Sequence, residues 1–446
     1  MQQKKQLSLF DLSMIVVSLV IGMGIFRTPV NVAAKAQIPD LFYLAWVIGG
    51  FVAFCGALTY AEIGSRYPVT GGYYKIFSVG YHPSIAFAIN CIAIISSAAS
   101  VAAISIIGAE YLSKIILPVH LQTDTYRVII AITTILVFYL INLLGLKASS
   151  KTQNVLTVIK IVMVLTLICA IFFGGHTEGI APVFKTPNGH LPTWADYGKA
   201  LGLCLIAVSF SFAGYAQTIN FGGEVKEPKK VIPRSIIIGL TIIVILYLAI
   251  NYVYVKVIGF EELKSAESIA AILASKIFGP AGFTLLSVII FFSVMGYVNV
   301  NLLSNPRAMY AMGEEGALPK VFSKMNKKTE VMTVSLTVFT VAAVAIIFYA
   351  KTFDKILNYT IFLESISMAS SAATIFILRK KTAHIDKKTI YTVPLYPILP
   401  IIFIAAYTFV AFSIYADDPN AALNGLYIFM GLVAVYFATR LFNKKN

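Results

Sequence analysis

The chain has 446 residues, of which 58% are hydrophobic and only 12% charged, and its mean hydropathy is +0.83. That composition excludes an ordinary soluble domain and reads as an all-α integral membrane protein embedded in a lipid bilayer. The formal charge of +15 would suggest nucleic acid in a soluble protein, but no nucleic-acid partner is expected here, because the surplus follows membrane topology.

Windows of about 20 apolar residues predict twelve spans, near residues 10–35, 40–65, 82–116, 126–146, 153–174, 196–222, 232–256, 280–312, 331–350, 353–379, 394–416 and 421–442. With a cytoplasmic N-terminus, Lys147, Lys151, Lys226, Lys229, Lys230, Lys387 and Lys388 all fall inside, while Glu178, Glu261 and Asp417 dilute the outside segments. The bias predicts a multi-pass protein of the cell membrane with both termini cytoplasmic. Residues 1–8 lack the apolar core and small-residue site of a cleavable signal, so the first span is expected to be retained.

The first span opens with Asp11, and its apolar run is interrupted by Gly22-Met23-Gly24, with Arg27 following. Glycine here has two readings. It lets helices approach closely, or it breaks the helix so that the amides of Gly22, Met23, Gly24 and Ile25 face an anionic group near the midplane.

The second span ends in YAEIGSRYPVTGGYYKIF at residues 60–77, where Pro68, Gly71 and Gly72 stop the helix. This run, together with IGMGIF at residues 21–26, resembles the signatures of amino acid permeases of the amino acid–polyamine–organocation superfamily. The third span carries Ser96, Ser97, Ser100 and Ser105, which suit contacts between helices, and Glu110 near its outer end reads as a boundary carboxylate.

Lys160 lies inside the apolar run NVLTVIKIVMVLTLI of the fifth span. A lysine at a helix centre costs about 2.5–3.5 kcal/mol on insertion scales and marks a functional site by default. The rival reading is snorkelling to the interface. In the sixth span, Ser209-Phe210-Ser211-Phe212-Ala213-Gly214-Tyr215 forms a second weak point, followed by Glu224-Val225-Lys226-Glu227-Pro228.

Two broken helices in corresponding places predict two five-helix repeats of inverted topology. The first covers residues 1–175 and the second residues 196–380, with an outer loop at 176–195. Spans 11 and 12 and the tail at 381–446 then form scaffold or a homodimer surface. Residues 259–279 read either as an amphipathic lid helix over the outer vestibule or as simple loop packing. Glu364 is a second intramembrane charge, in the tenth span.

The four cysteines show no metal-ligand spacing, and the histidines at 82, 120, 176, 190 and 384 fall in loops or at span ends. No metal or cofactor is expected, and a membrane-embedded enzyme lacks its convergent catalytic groups.

The resemblance implies an amino acid substrate held between the first and sixth spans. Its carboxylate would meet the amides of Gly22, Met23, Gly24 and Ile25, and its α-ammonium the carbonyls of Phe210, Ser211 and Ala213. Phe210 matches an aromatic gate. Lys160 matches a lysine that stands where sodium-coupled members bind Na⁺, implying Na⁺-independent transport by proton symport or by exchange. From the charges themselves, Arg27 and Glu364 are expected to pair across the outer gate, or Arg27 to attract an acidic substrate. The competing reading of the whole chain is an amino acid sensor or partner-binding membrane protein without flux.

Overall fold

Local capping starts the first helix. The Ser8 hydroxyl accepts from the Asp11 amide while the Asp11 carboxylate accepts from the Ser8 amide at 3.0 Å and from Ser8 Oγ at 2.6 Å. This reciprocal box satisfies amides that have no intrahelical acceptor and opens α1 (Leu9–Val20). The chain leaves the helix at Ile21 and resumes as α2 (Gly24–Ala36). The computed structural model describes residues 6–22, 24–172, 184–186, 191–266, 269–348 and 350–443. Met23 therefore lies outside the described residues.

From there the helices follow in order: α3 (Pro39–Arg66), α4 (Gly72–Gly80), α5 (Pro83–Ile116), α6 (Asp124–Leu143) and α7 (Leu146–Ile168). A second capping box, Thr193 with Asp196, opens α8 (Trp194–Phe212). A 3-10 segment, Ala213–Asn220, continues it. The remainder comprises α9 (Pro228–Val253), α10 (Phe260–Leu263), α11 (Ile269–Glu314), α12 (Thr333–Phe348), α13 (Ala350–Lys381), α14 (Ile398–Asp417) and α15 (Pro419–Asn443).

Among the described residues, ten helices are long and apolar enough to cross a membrane, with Leu9–Val20 and Thr333–Phe348 as shorter apolar helices. Two expectations change. The segment read as a separate lid runs from Ile269 straight into the eighth span as one helix of 46 residues. The weak point in the sixth span is a change of helix type at Ala213 rather than a gap in the helix.

Position in the bundle follows from which faces are apolar. Every residue of α1 from Leu12 to Val20 is buried, as expected of a helix hydrophobic all round and enclosed by protein. It packs against α7, α9, α11 and the 3-10 segment, while α2 packs on α8. Val137, Leu140, Ile245 and Val341 are exposed, which suits lipid rather than water.

The end of the bundle that carries the N-terminus is clasped. Leu7 donates to Glu224 O at 3.1 Å and accepts from the Lys226 amide at 3.1 Å, and Arg307 Nε meets the Glu224 carboxylate at 2.6 Å. Nearby, the fully buried Glu62 carboxylate accepts from Arg66 at 2.5 Å, from Arg379 at 2.8 and 2.7 Å, and from the Val393 amide at 2.6 Å. One carboxylate thus joins α3, α13 and the strap before α14.

Removing one partner of such a buried cluster strands the others, at a cost of about 3–5 kcal/mol. Glu62→Ala is therefore expected to lower the melting temperature of the purified protein by several degrees. An unchanged melting temperature in detergent would show that the cluster adds no stability.

Candidate functional site

Three glycines and two hydroxyls set the packing around the interruption between α1 and α2. A Cβ on Gly22 would lie 3.1 Å from the Tyr297 ring, and one on Gly24 would lie 3.2 Å from Ser211 Oγ. Ser211 Oγ in turn donates to Thr28 Oγ1 at 2.9 Å, joining α8 to α2 directly. A Cβ on Gly214 would fall 2.1 Å from Leu19 O, a backbone atom. The interruption and the change of helix type after α8 are therefore in direct backbone contact.

Beside this junction lies a cavity of about 760 Å³. Gly22, Gly24, Arg27 and Thr28 form one wall, with Phe210, Ser211, Ala213 and Gly214 next to them. Ser96, Ser97 and Ser100 of α5, Tyr297 and Asn301 of α11, and Glu364 of α13 stand on the other sides. Phe210 is 47% exposed. Helix geometry explains the shared depth: Gly22, Ser96 and Lys160 each fall roughly 20 Å along their spans from the end nearest the N-terminus.

Lys160 is not a lining residue. It lies fully buried behind the interruption, where Nζ donates to Ser18 Oγ at 3.2 Å and to the Ile21 carbonyl. Ser18 Oγ donates onward to Gly296 O at 3.2 Å. A Cβ on Gly296 would lie 3.5 Å from Lys160 Cε, so α11 leaves just enough room for the aliphatic stem. On the other side, Tyr247 Oη donates to Val20 O at 3.1 Å. Val20 O also accepts from the Gly22 amide at 2.9 Å, so that amide is engaged, while the Ile21 carbonyl just past α1 receives the ammonium.

Residues 7–437 match the family model for amino acid permeases. The chain belongs to the amino acid permease family. It is 29% identical over 444 residues to the serine/threonine exchanger SteT of Bacillus subtilis, covering 98% of this chain and 97% of that protein. It is 24% identical over 443 residues to the large neutral amino acids transporter small subunit 2 of Homo sapiens, covering 97% and 80%. It is also 25% identical over 446 residues to the cystine/glutamate transporter of Pongo abelii, covering 98% and 85%.

The permease brings most of the anticipated residues to one cavity, with distinctions that the sequence did not draw. Gly22, Gly24, Phe210, Ser211 and Ala213 line it, whereas the Ile25 side chain is fully buried in the core, so only its backbone is available to a ligand. The Phe210 carbonyl already accepts from the Ala213 amide. Arg27 and Glu364 both line the cavity, but among the described residues no ion pair joins them. Glu364 instead accepts from Ser96 Oγ at 2.7 Å. The reason is placement: Arg27 rides on α2, which packs against α8, and Glu364 rides on α13, where Ser96 of α5 meets its carboxylate.

Tyr297, Asn301 and Gln217 also line the permease cavity and were not anticipated. Their signal in the sequence is the polar stripe Tyr297, Asn301, Asn305 at four-residue spacing in a hydrophobic span. Asn301 Nδ2 donates to Tyr297 O at 2.9 Å, which holds that stripe on one face of α11.

Chemically, the wall formed by the start of α2 presents amides with no intrahelical acceptor and the positive pole of a helix, reinforced by Arg27 one turn on. The adjoining end of α8 runs on as the 3-10 segment Ala213–Asn220, so its carbonyls are only in part free to meet a cation beside that anion-favouring wall.

Proposed function

We propose that this permease carries amino acids across the cell membrane by alternating access, without Na⁺, exchanging one amino acid for another. The observation that carries this reading is the Lys160 ammonium seated on the Ile21 carbonyl at the end of α1. A fixed cation supplied by the protein occupies the carbonyl pole of the interrupted helix, so no dissociable metal ion is needed to stabilise it. Exchange is favoured over proton symport by the relative named as an exchanger.

In this reading the substrate carboxylate lies at the amides of Gly22 to Ile25. Its α-ammonium meets carbonyls of Phe210, Ser211 and Ala213, and Phe210 covers it. The chain makes twelve spans, with repeats at 1–175 and 196–380 and both termini cytoplasmic. The paired carbonyl and carboxylate contacts of Leu7, Glu224 and Arg307 then hold the inner side together.

The test is counterflow in proteoliposomes loaded with unlabelled amino acids. Uptake of label is expected only with amino acid inside, and replacing Na⁺ by choline should leave it unchanged. A reproducible need for Na⁺ would end the reading, and binding without flux would return the protein to the sensor class. A pH gradient that drives uptake into empty vesicles would replace exchange by proton symport.

Phe210→Ala tests the cover. Losing a phenylalanine that buries substrate removes about 1.5–3 kcal/mol of apolar contact, so the half-saturation concentration for counterflow should rise at least about tenfold. An unchanged half-saturation would place Phe210 outside the bound complex.

A further inference from the structure

We propose that Glu364, with Ser96 beside it, forms the subsite for a substrate side chain bearing a terminal cation, an ammonium or guanidinium, on an aliphatic stem. This rests on the permease reading above and names the substrate class of the same cavity.

A carboxylate at this depth in a membrane span is costly unless a positive group answers it. An ionised carboxylate offers about four acceptor positions, and among the described residues one hydrogen bond reaches Glu364, from Ser96 Oγ at 2.7 Å. Arg27 lines the same cavity without pairing with it. The neighbouring hydroxyls supply no charge, and two are occupied elsewhere: Tyr73 Oη lies 3.0 Å from Ser367 Oγ, and Tyr407 Oη donates to Ser209 O at 3.4 Å. Glu364 thus presents its remaining acceptor positions to the cavity.

The surrounding walls say what kind of cation fits. Ile89, Ile361, Ile366, Met368 and Phe429 line the cavity with hydrocarbon. That surface suits a methylene stem, which lysine-like side chains bury while their charged end finds a polar partner. Gly24, Arg27 and Glu364 all line this cavity without an ion pair between the two charges among the described residues, so the start of α2 would take the α-carboxylate and Glu364 the far end of the side chain. An acidic side chain would be repelled there, and a short neutral one would leave the carboxylate unanswered.

The experiment measures ligand-dependent thermal stabilisation of the purified full chain, with lysine, ornithine, arginine, leucine, serine and glutamate titrated separately. Lysine, ornithine or arginine is expected to bind at least about tenfold more tightly than leucine. Glu364→Gln should reduce that preference by about tenfold or more, while Glu364→Asp should keep most of it. Leucine or serine binding to the native protein with no binding of the cationic amino acids overturns the subsite and leaves the permease reading intact. So does a Glu364→Gln variant that keeps the preference, weakens all ligands alike, or changes only the pH dependence of neutral amino acid binding, in which case the carboxylate carries a proton. No binding and no exchange of any amino acid overturns the permease reading itself.

Discussion

Gly214→Ala is expected to abolish exchange while leaving a protein that inserts and can be purified. The added methyl would sit 2.1 Å from Leu19 O, 2.6 Å from Leu19 C and 3.1 Å from Val20 N. These are backbone atoms at the end of α1, so no rotamer change relieves the overlap, and one of the two helices must move. A displacement of about 1 Å at a site built from backbone poles can cost roughly two orders of magnitude in rate, and overpacking of this kind destabilises by about 1–3 kcal/mol. Proteoliposome counterflow and a melting curve on the same preparation check both effects. Native exchange with a native melting temperature would mean that α1 and the segment after α8 do not meet as described.

The second large effect is expected from Lys160→Gln. Its Nζ is the donor that reaches both Ser18 Oγ and the Ile21 carbonyl, and Ser18 passes the contact on to Gly296 O. Glutamine is shorter and uncharged, so the Ile21 carbonyl loses its donor inside the bundle, at a cost of about 1–3 kcal/mol. More important for transport, α1 is no longer tied to α7 where the interrupted helix must hold its shape. Exchange is expected to fall by at least about tenfold to a hundredfold. Lys160→Arg should not restore it, because the lysine is fully buried and a bulkier planar guanidinium would overpack the site. Full activity in Lys160→Gln would show that the ammonium is dispensable and that its contacts serve packing alone.

Much of the site was legible because charge and glycine are conspicuous in apolar surroundings. Lys160 stood out as a cation within an uninterrupted hydrophobic run, and Gly22 and Gly24 as helix-weakening residues in the middle of a span. Their addresses were readable, but their partners were not. Glu364 was expected to meet Arg27 by opposite sign alone, whereas the fold sets Ser96 of α5 against it. Gly214 was part of a recognisable string, yet nothing along the chain indicates that Leu19, far away in sequence, packs backbone to backbone against it. The segment from Ile269 looked amphipathic and separate, but it joins α11 as one helix.

The sequence alone determined the membrane setting and the helical class, and it marked Gly22, Gly24, Lys160 and Glu364 as anomalies inside apolar spans. Each of these follows from the local free energy of placing residues in hydrocarbon, which depends on composition and spacing along one segment. The tertiary structure decided the pairings: Lys160 with Ile21, Glu364 with Ser96, Ser211 with Thr28, and Gly214 with Leu19. Those depend on how separate spans rotate and approach one another. Hydrogen bonds and steric contacts act over only a few ångströms, so hydropathy, which is blind to such distances, cannot specify them.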